Sequence, residues 1–314
     1  MKITFMGTPD FAVPVLKHLL EDTAYDVVCV VTQPDRPKGR KHKLTPPPIK
    51  VLAESYAVPV LQPEKVRKAE AVKEILDFDA DLLVTAAYGQ ILPESLLKGP
   101  RLGCVNVHAS LLPAYRGAAP IQQSIIDGQK ESGVTIMYMV KQLDAGDILS
   151  QVRVPIEDQD TFGTLHDKLS AAGSTLLMET LPKLAAGSLK PQKQDENKVT
   201  FAPSIQHEDE EIVWEKSAPA VRNLIRGLNP FPGAFTRLGG SVFKIFAAEL
   251  TDLRSAEKPG TVIRCDSDGL FVATGDGQAV QIVECQPAGK KRMKTADFLR
   301  GTRVETGTIL GVKL

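Results

Sequence analysis

The chain has 314 residues, 43% hydrophobic and 24% charged, with 38 basic and 38 acidic side chains. That length suggests two domains, and the composition suits a folded core, which excludes wholesale disorder. Net charge is zero, and residues 1–190 and 191–314 are each balanced to within one charge. Any nucleic-acid or membrane partner therefore has to be argued from a local patch. Cys29, Cys104, Cys265 and Cys285 lie far apart with no CxxC pair. This argues for a reducing compartment and against zinc or a disulfide framework. No signal peptide is visible, and no apolar run approaches the roughly 20 residues of a bilayer span. A cytoplasmic protein without membrane attachment is expected.

Residues 2–6 read as a short strand ending at Gly7, and 10–20 place Phe11, Val15, Leu16 and Leu19 at helical spacing. The turn between them, Gly7-Thr8-Pro9-Asp10, lacks GxGxxG. A nicotinamide enzyme is thus poorly supported, and Pro9 and Asp10 read as helix-capping residues. Residues 26–32 are almost wholly apolar and β-branched, as expected of a strand buried on both faces.

Residues 34–50 then hold Arg36, Lys38, Arg40, Lys41, Lys43, Lys50 and His42, opposed only by Asp35. Five prolines and Gly39 are expected to deny this segment regular structure. It reads either as a mobile basic arm that meets RNA phosphates or as a plain surface loop.

Helical patterns at 48–55, 64–76 and 120–127 alternate with strand patterns at 58–61, 82–87 and 104–107. This βαβ rhythm implies a mostly parallel sheet. A strand pair at 133–140 and 148–156 and a long helix at 161–186 close the first half. We expect a first domain over 1–189, a linker over 190–204 and a second domain over 205–314. The second holds a helix at 218–227 and short strands at 242–248, 261–264, 269–273 and 279–284. Their spacing suggests a small β-barrel. Trp214 and the acidic stretch 207–211 mark its start. Lys290, Lys291, Arg292, Lys294, Arg300 and Arg303 form a basic cluster that suits either a nucleic-acid platform or a solvated face.

The stretch richest in chemistry is 104–120, CVNVHASLLPAYRGAAP. Side chains alternate along a strand, so Asn106 and His108 share a face near its C-terminal end. In open α/β sheets that end is where ligands bind. An Asn beside a His can hold a developing oxyanion, although a His there can equally brace the loop. Downstream, Leu143-Asp144-Ala145-Gly146-Asp147 offers a tight turn with carboxylates, which turn chemistry alone would also explain.

These residues carry a resemblance. Asn106-Val107-His108-Ala109-Ser110-Leu111-Leu112-Pro113, Tyr115-Arg116-Gly117-Ala118 and Asp144-Ala145-Gly146-Asp147 resemble the signature of the folate-dependent formyltransferases. Gly7-Thr8-Pro9-Asp10-Phe11-Ala12, Gln33-Pro34-Asp35-Arg36-Pro37, Ala87-Tyr88-Gly89-Gln90-Ile91-Leu92-Pro93 and Gln286-Pro287-Ala288-Gly289-Lys290-Lys291 extend it along most of the chain. The resemblance implies an α/β fold, a Rossmann-like, mostly parallel sheet followed by an OB-like β-barrel that holds tRNA. It also implies formyl transfer from 10-formyltetrahydrofolate to the α-amine of methionine on initiator methionyl-tRNA, with no metal and no covalent enzyme intermediate. Asn106, His108 and Asp144 match the catalytic trio.

Ser110, Leu111, Leu112 and Pro113 match the folate-binding loop, and Tyr88, Gly89, Gln90, Ile91 and Leu92 match the segment framing the pterin. From the residues alone, Leu111, Leu112, Ile91 and Leu92 read equally as core packing. Arg36, Lys38, Arg40, Lys41 and Lys43 match the arm that reaches the acceptor end of tRNA, with Arg40 foremost. Lys290, Lys291 and Arg292 would contact tRNA from the second domain. Arg116 can meet a folate tail or a phosphate, or stay a solvated loop charge. A monomer is expected. A small-amine formyltransferase and a non-catalytic RNA-binding protein are the competing readings.

Overall fold

The computed structural model describes residues 1–38 and 42–312, so Arg40 and Lys41 lie outside the described residues. Two compact units are present. The first comprises Met1–Gly117, Ser132–Pro155 and His166–Ala202, and the second Ala118–Glu131, Ile156–Leu165 and Pro203–Leu314. The second unit thus takes in two segments from within residues 1–189, the expected first domain. The physical reason for one of them is visible at Gly227, where a missing side chain makes room for Ile126 beside the second unit's core.

The first unit is built on strands β1 (Lys2–Gly7), β2 (Asp26–Val31), β3 (Val60–Leu61), β4 (Leu82–Ala86), β5 (Cys104–His108), β6 (Glu131–Tyr138) and β7 (Ile148–Pro155). They lie in the order β7-β6-β5-β4-β1-β2-β3. The pairs β1–β2, β1–β4, β2–β3 and β4–β5 are parallel, and β5–β6 is antiparallel. Every residue of β4 is buried, as its apolar run requires when both faces of a parallel sheet are covered. The strand order reverses between β1 and β4, and an open α/β sheet gathers ligands at the C-terminal ends beside such a switch point. Thr8 fastens that point: its hydroxyl donates to the Tyr88 carbonyl at 2.9 Å and accepts from the Gln33 amide at 3.4 Å. The expected capping role of Pro9 is only partial. A 3-10 turn, Asp10–Ala12, precedes the helix Val13–Glu21, and Pro9, having no polar side chain, offers its carbonyl to the Ala12 amide instead.

The basic segment is not irregular as its prolines suggested. Arg36–Lys38 pairs antiparallel with Lys43–Thr45, with Pro37 opposite Leu44. Each strand of a two-stranded ribbon is an edge, so the amide hydrogen that proline lacks need not be missed. Asp35 anchors the base of this hairpin, accepting from Gln62 at 2.7 Å and from Lys50 at 3.0 Å. Those bonds hold its carboxyl below the usual carboxylate range, the Gln62 bond contributing most. The stretch 190–204, expected as a linker, is laced to the first unit. Gln192 exchanges backbone bonds with Ile148, and Phe201–Ala202 pairs in parallel with Arg116–Gly117.

The second unit is a six-stranded antiparallel sheet whose five main strands, β8 (Ala234–Leu238), β9 (Ser241–Arg254), β10 (Val262–Asp266), β11 (Gly269–Ala273) and β12 (Gln278–Pro287), lie in the order β8-β9-β12-β11-β10, while the short strand Met293–Lys294 pairs with β12. Register shifts interrupt the β9–β12 ladder at three places, and such bulges increase twist. The five main strands share one core: Ala234, Phe243, Ile245, Val262, Leu270, Val272, Val280 and Ile282 pack together with Val221 and Ile225 of the helix Ala218–Gly227. Trp214 is buried in it and donates to the Thr236 hydroxyl at 3.0 Å. No helix among the described residues is long and apolar enough to cross a membrane.

All four cysteines are free thiols. Burial pushes Cys29 and Cys104 up to about 12 and Cys285 up to about 11, whereas Cys265 is only partly covered. The thiolate is the reactive form. A colorimetric thiol reagent at neutral pH should therefore modify at most Cys265 promptly in the native protein, and all four thiols after denaturation. Several fast-reacting thiols in the native state would contradict this packing.

Candidate active site

Strand β5 brings Asn106 and His108 to the C-terminal edge of the sheet, where Asn106 lies opposite Thr85 on one side and Met137 on the other. The Thr85 hydroxyl is 2.7 Å from Asn106 Oδ1 and donates to it. That bond turns the amide NH2 of Asn106 the other way, where it has no acceptor among the described residues. Asn106 is half-buried, so this donor faces accessible space. Thr85 is a residue that sequence reasoning missed. Its signal is a hydroxyl near the end of the otherwise apolar run Leu82–Ala86.

His108 is buried, with Nε2 3.0 Å from the Tyr115 carbonyl and Nδ1 3.8 Å from Asp144 Oδ2. A carbonyl only accepts, so Nε2 must donate and carry a proton. Nδ1 then faces the carboxylate. With Nδ1 bare, two acceptors confront each other; with Nδ1 protonated, the imidazolium and Asp144 form a nearly buried ion pair.

Asp144 is held in place by its surroundings. Its Oδ2 accepts from the Gly117 amide at 2.8 Å, and its backbone adopts a left-handed φ of 47°. Gly146, two residues on, lies against the Tyr138 carbonyl so closely that a Cβ would overlap it. Gln194 donates to the carbonyls of both Asp144 and Gly146, at 2.7 and 2.8 Å. The other end of Gln194 accepts from Arg116, from Nε at 3.0 Å and from a terminal nitrogen at 2.9 Å. Glu196 completes the set at 2.9 Å from the guanidinium. Arg116 is 1% exposed, the largest fully buried side chain among the described residues. It is therefore neither a solvated loop charge nor free to meet a folate tail or a phosphate. No sequence signal marked Gln194 or Glu196, which lie about 80 positions from their partner.

The loop 110–113 is closed upon itself. Ser110 is buried and its hydroxyl donates to the Ala114 carbonyl at 2.7 Å. Thr135 donates to the Ser110 carbonyl and accepts from the Leu112 amide, while Gln151 donates to the Leu112 carbonyl and the Thr135 hydroxyl. Leu112 is buried, and Leu111 and Pro113 are half-buried. In the neighbouring segment, Tyr88 and Leu92 belong to a core cluster with Met6, Val31 and Leu83. The Tyr88 hydroxyl is buried without a hydrogen-bond partner among the described residues, and burial pushes it up to about 12. Gln90 braces Val66 through its side-chain oxygen at 2.9 Å, Gly89 takes a φ of 91°, and Ile91 stands 81% exposed. A ligand arriving here would thus meet Ile91 and backbone rather than Tyr88 or Leu92.

The basic residues divide. Arg36 pairs with Glu64 at 3.2 Å in an exposed bridge, and Lys43 is exposed. Lys38 lies on the hairpin strand Arg36–Lys38. Lys290 and Lys291 are exposed with no ion pair among the described residues. Arg292 instead grips Glu284 through two bonds, of 2.6 and 2.5 Å. No group of three His, Cys, Asp or Glu side chains is gathered as a metal site among the described residues.

Comparison with known proteins gives this geometry a family. The formyl transferase model matches residues 1–181 and the formyl transferase C-terminal domain model matches 204–303. A methionyl-tRNA formyltransferase of Bacillus velezensis is 57% identical over 310 residues, covering 99% of this chain and 98% of that one. The methionyl-tRNA formyltransferase of Bacillus subtilis is 56% identical over 311 residues, with the same coverage. Among solved structures, an N-formyltransferase from Helicobacter canadensis, in complex with folinic acid and dTDP-3-aminofucose, superposes with a TM-score of 0.66 at 17% identity. That match covers 91% of this chain and 99% of that one, and it speaks for the fold alone. Carrying both domain models in order and matching these relatives over nearly its whole length, the chain belongs to the formyl transferase family.

Proposed function

We propose that this chain transfers the formyl group of 10-formyltetrahydrofolate to the α-amine of methionine on initiator methionyl-tRNA. The products are N-formylmethionyl-tRNA for translation initiation and tetrahydrofolate. The observation that carries this reading is the meeting of Asn106, His108 and Asp144 at the C-terminal end of β5, in a chain similar along its length to methionyl-tRNA formyltransferases. Its proposed setting is the cytoplasm, with the chain acting as a monomer, and the four free thiols suit a reducing compartment.

The residues present suit a folate donor. Ile91, Leu111 and Pro113 offer apolar surface, the backbone of 110–113 is rigidly braced, and the Asn106 NH2 faces accessible space. Bound there, the folate supplies an activated formyl carbonyl. The protein's part is electrostatic and protonic. Asn106 donates to the formyl oxygen as negative charge grows on it, an effect worth about 10²–10³ in rate. His108, protonated on Nδ1 beside Asp144, adds a positive charge, and its Nε2 stays fixed on Tyr115 throughout. The amine attacks in its neutral form, and its surplus proton passes to the Asp144 carboxylate, because both ring nitrogens of His108 already carry protons; the bond from the formyl carbon to N10 of the folate then breaks, and N10 takes up a proton as tetrahydrofolate leaves. The arm residues Arg36, Lys38, Arg40, Lys41 and Lys43, and Lys290 and Lys291 of the second unit, are proposed to meet tRNA phosphates. Arg292 takes a supporting part, because Glu284 already neutralises it.

The direct test is transfer of labelled formyl from 10-formyltetrahydrofolate to methionyl-initiator-tRNA, with free methionine, uncharged tRNA and an amino-sugar nucleotide as controls. Label on the charged tRNA alone is expected, and label on the amino sugar instead would overturn the reading. Asn106→Ala should lower kcat about 100-fold or more with folate binding kept. Thr85→Val should lower kcat about 10-fold through the misoriented amide, with Thr85→Ser restoring it. A wild-type kcat in Thr85→Val would refute the orienting bond.

Charge removal separates the phosphate contacts from the chemistry. Replacing Lys290 and Lys291 together by alanine should weaken tRNA binding and flatten the log–log salt dependence by about 0.7–0.9 per lost contact. An unchanged salt slope would remove these lysines from the interface.

A further inference from the structure

Near one end of the second unit's sheet stands an aromatic ring that the proposed reaction does not use. Phe231 is 74% exposed, in the loop Asn229-Pro230-Phe231-Pro232-Gly233. A single exposed apolar side chain is ordinary in itself. What distinguishes this one is the loop that carries it. Asn229 is buried, donates from Nδ2 to the Phe246 carbonyl at 2.8 Å and accepts at Oδ1 from Arg292 at 3.1 Å. On the far side of the ring, Lys244 donates to the Pro232 carbonyl at 2.7 Å, and the Gly233 amide donates to the Leu228 carbonyl at 2.9 Å. The backbone is therefore clamped before and after Phe231, and the ring between the clamps points into water. So much fixed structure is hard to explain for an unused ring.

The surroundings specify the ligand. Arg292 lies 4.4 Å over the Phe246 ring and grips Glu284, so the bond from Arg292 to Asn229 ties the turn at 288–292 to the loop at 229–233. Along β9 the two connections start two residues apart, Ala234 opposite Ile245 and Pro287 opposite Phe243, and leave in opposite directions, so the Arg292–Asn229 bond is what links them. That turn carries Lys290 and Lys291, exposed and without an ion pair among the described residues. Glu284, the carboxylate that Arg292 grips, is neutralised by it. A lone exposed ring beside uncompensated lysines lacks the contiguous apolar area that a protein partner needs. It has the two parts that unpaired nucleotides use, a face for the base and cations for the phosphates.

We propose that Phe231 is a stacking platform for an unpaired base of the RNA substrate, with Lys290 and Lys291 on the adjoining phosphates. This rests on the tRNA reading above and adds a contact that reads base exposure rather than backbone charge. Aromatic stacking discriminates single-stranded from paired nucleotides, because a base within a duplex has no free face.

The full chain tests this with Phe231→Ala and Phe231→Trp. Phe231→Ala should raise KM for methionyl-initiator-tRNA about 10-fold and leave kcat and the folate KM unchanged. Phe231→Trp should restore KM and be quenched by tRNA and by a short single-stranded oligonucleotide, but not by a duplex of the same composition. The native Trp214 is buried and hydrogen-bonded, so the wild-type signal should change little. A wild-type KM in Phe231→Ala, or an unquenched tryptophan at 231, would overturn the platform. A dimer that dissociates on Phe231→Ala while KM stays unchanged would likewise overturn it, marking the ring as a contact between copies. Should wild-type protein fail to formylate tRNA at all, the functional reading itself fails. An active wild type with an unaffected Phe231→Ala rejects the platform alone.

Discussion

A buried guanidinium organises the candidate site. Arg116 is almost wholly withdrawn from water, and a cation in that position is tolerable only when its hydrogens are matched and its charge is answered. Gln194 and Glu196 do both. Because Gln194 is an amide, it passes the constraint on, accepting from Arg116 with its oxygen while its nitrogen holds the carbonyls of Asp144 and Gly146. The residue after Arg116 binds the Asp144 carboxylate directly through its backbone amide. Asp144 is thus gripped at backbone and side chain from one anchor, and its left-handed conformation is sustained by that grip. The distance from Asp144 to His108 depends on this arrangement, and so does the ion pair they form when Nδ1 is protonated.

The same network explains what was legible in the sequence and what was not. Period-two alternation placed Asn106 and His108 on one face of a strand, and apolar runs located the parallel strands, because both signals are local. The helices Pro48–Ser55 and Ala218–Gly227 and the strand Gly269–Ala273 fall where their patterns end. Arg116 was misread because its partners arrive from about 80 residues further on, in a stretch whose composition resembles a linker. Polar residues such as Gln194 and Glu196 reveal a structural role only once the chain has returned to the first unit. The basic hairpin was hidden for a different reason. Proline counts against regular structure in a sheet interior, but Arg36–Lys38 pairs with a single neighbour, where the penalty is small. The contribution of 118–131 and 156–165 to the second unit was equally invisible, since packing between segments distant in sequence leaves no mark on composition.

The division between arginine and lysine supplies the last step. Arg36, Arg116 and Arg292 fall within or beside motifs that resemble the family, and each meets a glutamate: Glu64, Glu196 and Glu284. A planar fork that binds a carboxylate in fixed geometry is suited to holding loops in place. Arg116 and Arg292 do so through networks that tie separate segments together, whereas the Arg36 bridge is exposed and costs little to break. Lys43, Lys290 and Lys291 remain exposed without an ion pair among the described residues. Their mobile point charges suit a phosphate backbone, whose spacing varies and whose counterions they displace. In the second unit the two roles are physically coupled. Arg292 holds the loop bearing Phe231 to the turn bearing Lys290 and Lys291, so neutralisation by Glu284 is what makes it an effective strut. An unpaired arginine there would compete for the same phosphates and leave the ring and the lysines unconnected.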